Sequence, residues 1–112
     1  MNEETRRAIA HAALTKVTGK ARSSIYSYDA RKHTSFSGNT TGAGYDYDAR
    51  AHISASGSGL YHYGQQSHIN LSVRGKSFSG YDYGSRSHFS GSVNGNSVQL
   101  YDYGEQKYFQ YS

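Results

Sequence analysis

The sequence predicts a mainly β fold: an N-terminal α-helix, then an up-and-down antiparallel β-meander of five repeated hairpins, about ten strands in a curled sheet or barrel. Three observations carry this. A Tyr-x-Tyr triplet recurs at Tyr26/Tyr28, Tyr45/Tyr47, Tyr61/Tyr63, Tyr81/Tyr83 and Tyr101/Tyr103. Five residues after each second tyrosine stands an imidazole or a phenol, in turn His33, His52, His68, His88 and Tyr108. The apolar period also changes, from helical before Gly19 to alternation after Ser24.

A chain of 112 residues makes one domain, with a helical part (1–22) and a tyrosine-rich hairpin part (23–112). The helix is expected over residues 2–18. Asn2 can cap it, Glu3 and Glu4 complement the positive end of its dipole, and Gly19 can stop it. Ile9, Ala10, Ala13, Leu14 and Val17 share one face, which is small enough for close packing on a sheet.

In the repeats, the first tyrosine of each triplet is taken as position i. Tyrosine fills i and i+2, and His or Tyr fills i+7. The segment between i+2 and i+7 reads DARK, DARA, GQQS, GSRS and GEQK, and Asp or Gly at its start is turn chemistry. A four-residue loop pairing i+2 with i+7 puts all triplet tyrosines, the four histidines and Tyr108 on one face. The other face then carries Ile25, Phe36, Ile53, Leu60, Ile69, Leu71, Phe89, Leu100, Phe109 and Tyr111, with Asp46, His62, Asp82 and Asp102 near the hairpin tips. Between hairpins, Asn94-Gly95-Asn96 is a strong turn signal and Arg74-Gly75-Lys76 a weaker one, while the links near Gly38–Gly42 and Gly57–Gly59 read as shorter or looser. Ten flat strands at ~4.8 Å would span roughly 43 Å, against ~25 Å for the helix. The sheet must therefore curl, with the helix against or within it, or a second copy must cover the remainder.

Composition narrows function mainly by exclusion. There are no cysteines, hence no disulfide or thiolate metal site, and no proline. No stretch approaches the ~18 apolar residues of a membrane span, and the start does not read as an export signal, so a cytoplasmic protein with no membrane partner is expected. The +4 charge is concentrated in residues 1–24, where Arg6, Arg7, Lys16, Lys20 and Arg22 outnumber Glu3 and Glu4. These cations read first as a solvated helix face, and second as a footprint for an acidic partner.

Equivalent histidines lie two strands, or ~9.6 Å, apart, too far to converge on zinc with its ~2 Å bonds. They read as cross-strand partners of the tyrosines, and no metal site or cofactor is expected. The aspartates recur with the repeat and read as structural, so no catalytic residue is assigned and the chain is expected not to be an enzyme.

The tyrosine face is the candidate site. Its rings can stack on a flat ligand while their hydroxyls hydrogen-bond. Tyr45, Tyr47, His52, Tyr61, Tyr63, His68, Tyr81, Tyr83 and His88 are the candidate ligand-binding residues, whether on an exposed surface or lining a barrel's interior. A carbohydrate or other small ligand is the first expectation. Nucleic-acid binding by the basic helix and aromatic face is the alternative, with self-assembly into a homo-oligomer as a third class. The stretches Tyr26-Ser27-Tyr28-Asp29-Ala30-Arg31 and Tyr45-Asp46-Tyr47-Asp48-Ala49-Arg50 resemble the tyrosine–aspartate repeats of large bacterial β-shell proteins. Later copies place Gly64, Gly84 and Gly104 at the second Asp and lack the Gly-Arg continuation, and no function is carried over.

Overall fold

The computed structural model describes residues 1–112. A helix, α1 (Glu3–Thr18), precedes ten strands: β1 (Ser24–Ser27), β2 (Lys32–Gly38), β3 (Gly44–Asp46), β4 (Ala51–Ser56), β5 (Gly59–His62), β6 (Ser67–Arg74), β7 (Ser77–Asp82), β8 (Ser87–Asn94), β9 (Ser97–Asp102) and β10 (Lys107–Tyr111). Each strand pairs antiparallel with its neighbours in sequence, and β1 pairs with β10, closing the sheet into a barrel. Closure leaves no free sheet edge, so the need for a second copy to cover the sheet lapses.

The helix runs inside the barrel. Every residue from Thr5 to Thr15 is buried, so the expectation of a single buried face is corrected: all faces are enclosed. The reason is the size of the lumen. About eight strands make a barrel that its own side chains fill, and ten leave space for more. Ala8, Ala10, Ala12 and Ala13 keep the helix thin enough to fit there, and Ile9 and Leu14 join the barrel's aliphatic and aromatic residues in one core cluster. Asn2 caps the helix, its side-chain oxygen accepting from the Thr5 amide at 2.9 Å, and Gly19 ends it at φ 69°.

All ten residues assigned to the aliphatic face point inward and are buried. The pairing register differs from expectation by two residues. The first tyrosine, not the second, faces the i+7 residue, as in Tyr26↔His33, Tyr45↔His52, Tyr61↔His68, Tyr81↔His88 and Tyr101↔Tyr108. Position i+1 pairs with i+6, so the loop is i+2 to i+5. Its last residue is left-handed in every copy: Arg31, Arg50, Gln66, Arg86 and Gln106 have φ of 52–58°. That residue reverses the chain one position earlier than counted, which moves each cross-strand partner by two. A shift of two preserves side-chain parity, so the faces survive the change in register.

The opposite turns are tighter than expected at one place. Gly57-Ser58 forms a two-residue hairpin turn like Gly75-Lys76 and Gly95-Asn96, each with its glycine at φ 57–58°. The link from Gly38 to Gly44 is the longer one.

The helix charges also depart from expectation. Arg6 and Arg7 are buried ion-pair partners, not part of a solvated face. Arg7 Nε meets Asp46 at 2.6 Å, and Arg6 Nη1 meets Asp102 at 3.3 Å, where the Met1 amino group also lies at 3.1 Å. The guanidinium of Arg6 lies over the Phe109 ring as well.

Two buried imidazoles give the fold a pH dependence. His11 stacks on Phe36 at 4.3 Å, with Nε2 3.1 Å from the Arg22 carbonyl oxygen, and His62 Nδ1 accepts from the Gln65 amide at 3.2 Å. Burial lowers both pKa values below the ordinary 6.5. The unfolded chain therefore binds more protons than the folded one just below pH 6.5. Stability is complete above that pH and falls as the pH drops toward the depressed folded values. The urea midpoint is expected to be flat from pH ~7 to 8 and to decline from pH ~6.5 to 5. His62→Asn, which keeps a side-chain acceptor, is expected to reduce that slope. A midpoint independent of pH across this range would show that neither histidine is held neutral.

Candidate functional site

The triplet tyrosines lie on the outer wall, so the alternative of an interior tyrosine lining is corrected. They pack as five copies of one three-ring cluster. In each, the first tyrosine contacts the second edge-to-face, with centroids 4.8–5.0 Å apart and planes at 73–88°. On its other side it meets the His or Tyr at i+7, at 4.6–4.7 Å and 57–65°. Such pairs contribute ~0.5–1.5 kcal/mol each beyond area burial. The middle ring is half-buried, whereas Tyr28, Tyr47, Tyr63, Tyr83, Tyr103 and Tyr108 are 53–59% exposed. The exposed rings are thus held by a packed neighbour, not left free to rotate. Opposite-face packing of aliphatics against the helix is what turns tyrosine outward.

Residue i+1 points inward and holds each loop. Ser27 Oγ accepts from the Ala30 amide, Asp46 Oδ1 from the amides of Asp48 and Ala49, and His62 Nδ1 from that of Gln65. Asp82 Oδ1 accepts from the Gly84 amide, and Asp102 Oδ1 from those of Gly104 and Glu105. The aspartates are therefore loop caps. Asp48, in a loop, has its carboxyl held below the usual range by the Thr34 hydroxyl at 2.8 Å and by Lys32 at 3.0 Å.

Grooves run between the clusters. One, of about 670 Å³, brings Tyr45 and His52 of the second copy to Tyr63 of the third, over a floor that includes Ser37, Asn39 and Ser54. Another, of about 470 Å³, brings Tyr81 and His88 of the fourth copy to Tyr103 of the fifth, over Asn70, Ser72, Ser79 and Ser90. A third, of about 410 Å³, shares Ser72, Ser79 and Ser90 with it and continues past Ser77, Ser92 and Gln99, bounded by Tyr101 and Tyr108 and by Arg74. These two form one serine-floored trough on the outer face of β6–β9. Of the candidate residues, Tyr45, His52, Tyr63, Tyr81 and His88 line grooves, while Tyr47, Tyr61, His68 and Tyr83 stand on the wall outside these three. Sequence reasoning missed Tyr101, Tyr103 and Tyr108, although the fifth copy of the repeat, with phenol in place of imidazole, was the available signal. It also left out Ser72, Ser77, Ser79 and Ser92, whose common outward parity was legible.

Charge is segregated between the two ends of the barrel. The helix N-terminus and the tyrosine loops share one end, which holds all eight Asp and Glu side chains together with Arg31, Lys32, Arg50, Arg86 and Lys107. The two-residue turns and the helix C-terminus share the other, where Lys16 Nζ lies 3.4 Å from the Gly57 carbonyl oxygen and Arg22 Nη1 donates to Asn96. That end carries Lys16, Lys20, Arg22, Arg74 and Lys76 with no carboxylate side chain. No group of three or more His, Cys, Asp or Glu side chains comes together anywhere in the barrel. No helix is long and apolar enough to cross a membrane. No family model, curated protein or solved structure matches the chain, and the functional reading rests on this geometry.

Proposed function

We propose that the chain is a non-enzymatic binding module for carbohydrate, using the outer wall between its aromatic clusters. One observation carries the reading: the serine-floored trough of β6–β9, flanked by Tyr81, Tyr103, Tyr101 and Tyr108. A sugar ring has an apolar face and a hydroxyl rim. The trough offers ring faces for the first, and Ser, Asn and Gln side chains for the second. Edge-to-face packing holds those rings in place before a ligand arrives, which lowers the ordering cost of binding.

Charge placement favours this reading over nucleic acid. A single-strand binder combines stacking rings with a basic groove, whereas here Arg74 is the one cation lining the trough, and Lys16, Lys20, Arg22 and Lys76 of the basic end are not part of its lining.

The test is affinity electrophoresis and calorimetry against a panel of soluble neutral and acidic polysaccharides. Binding by at least one is expected, with Tyr103→Ala weakening it by about tenfold, equivalent to ~1.4 kcal/mol. Affinity is expected to change little between ~50 and ~200 mM salt for a neutral glycan, whereas a polyanion relying on phosphate contacts would lose orders of magnitude. Binding to no glycan, together with steeply salt-dependent binding to single-stranded oligonucleotides, would overturn the proposal.

A further inference from the structure

Where the helix enters the barrel, the repeat supplies an internal comparison. Position i+1 carries three buried aspartates, Asp46, Asp82 and Asp102, each using Oδ1 to cap its loop. Their second oxygens differ in what they meet. Asp46 Oδ2 meets Arg7 at 2.6 Å, and Asp102 Oδ2 meets Arg6 at 3.3 Å and the Met1 amino group at 3.1 Å. Asp82, only 2% exposed, forms no ion pair, and its Oδ2 accepts a hydrogen bond from Ser85 Oγ at 2.7 Å.

A pocket of about 120 Å³ opens beside Asp82, and no hydrophobic residue lines it. Ser67 lines it too. That residue is 5% exposed, and its buried hydroxyl has no hydrogen-bond partner. One repeat later the equivalent hydroxyl, Ser87 Oγ, donates to the Ser85 carbonyl at 3.4 Å. A carboxylate without a cationic partner and a residue with an unpartnered hydroxyl thus line one polar space. Asn2, Thr5, Gln65, Gly84 and Ser85 complete its wall.

Isolated buried charge is costly and is ordinarily paired. The two sister aspartates follow that rule with cations from the helix. We propose that the Asp82 pocket binds a small hard cation through oxygen, with the Asp82 carboxylate and the Ser67 hydroxyl as its principal ligands. A carboxylate and a hydroxyl are oxygen donors, which suit calcium, magnesium or sodium and disfavour soft transition metals. A liquid water occupies about 30 Å³, so the space admits one cation with two or three waters. A single carboxylate places affinity in the weak range, with a dissociation constant of roughly 1 mM for calcium.

The experiment is thermal unfolding of the full chain, stripped with chelator and then titrated with calcium, magnesium or sodium chloride. A bulky organic cation, tetramethylammonium chloride, fixes the ionic strength. One of the three metal cations at ~10 mM is expected to raise Tm by a few degrees above the matched control. Asp82→Asn and Ser67→Ala should each remove or sharply reduce that rise, while Asp29→Asn, which alters an exposed carboxylate paired with Lys107, should retain it. Equal Tm values in all four salts would overturn the proposal and leave the pocket to water. Retention of the full rise in Asp82→Asn would overturn it as well, and if that variant does not fold, Ser67→Ala decides in the same way.

Discussion

Gly80→Ala is expected to destabilise the barrel by more than about 3 kcal/mol, beyond the usual range for an overpacked core, or to prevent folding. A Cβ at this position would lie 1.7 Å from the Asn70 carbonyl oxygen and 2.6 Å from Phe89 Cζ. The first of these atoms is backbone in the adjacent strand β6, so relief requires moving a strand. Gly80 pairs directly with Phe89, and Gly91 pairs with Phe78 in the same way. Each glycine leaves space on the inner wall that the facing ring covers, and each permits the close strand approach that curvature needs. Gly75→Ala is the comparison. Gly75 has φ 57°, yet nothing lies within 4 Å of its added Cβ. Its cost should be only the left-handed backbone penalty, ~1–2 kcal/mol. Urea unfolding of both variants distinguishes space from backbone conformation, and equal costs would contradict the assignment of Gly80 to a sterically closed site.

The second large effect is expected at Asp46. Asp46→Asn should cost about 3–5 kcal/mol, because it removes the only ion-pair partner of Arg7 and leaves a guanidinium buried in the lumen. The substitution retains Oδ1, so the loop-capping hydrogen bonds to Asp48 and Ala49 can persist and the loss reports on charge. Asp82→Asn in chelator-treated buffer should cost less than about 1 kcal/mol or stabilise the fold, since it removes a buried charge that no side-chain cation offsets. Asp102→Asn should fall between the two, because Arg6 keeps contacts to Glu3, the Met1 carbonyl and the Phe109 ring. Equal costs at Asp46 and Asp82 in denaturant titrations would mean that the ion pair to Arg7 adds no stability at this end.

Much of the architecture was legible because strand side chains alternate strictly. Parity alone assigned Ile25, Phe36, Ile53, Leu60, Ile69, Leu71, Phe89, Leu100, Phe109 and Tyr111 to one face, and all ten are buried. The same parity hid the register. Pairing i or i+2 with i+7 yields identical faces, and only the left-handed residue at i+5 decides between them. Asn2 and Gly19 delimited the helix because capping is local chemistry, acting within one turn.

Which face looks outward was not local. Tyrosine is amphipathic and satisfies either environment, so its abundance left both readings open. The ten-strand lumen, too wide for its own side chains, takes in the helix and draws the aliphatic face around it, leaving tyrosine to the solvent. Arg6 and Arg7 looked like surface charge for a related reason. Their partners stand 96 and 39 positions away along the chain. Nothing near Asp82 in the sequence marks it as the aspartate without a cation. The sequence by itself determined the period, the loop count and which residues share a face, because those depend on neighbours within a few residues. Tertiary structure decided the outward display of the rings and the pairing of buried charge, because both depend on what the closed barrel encloses.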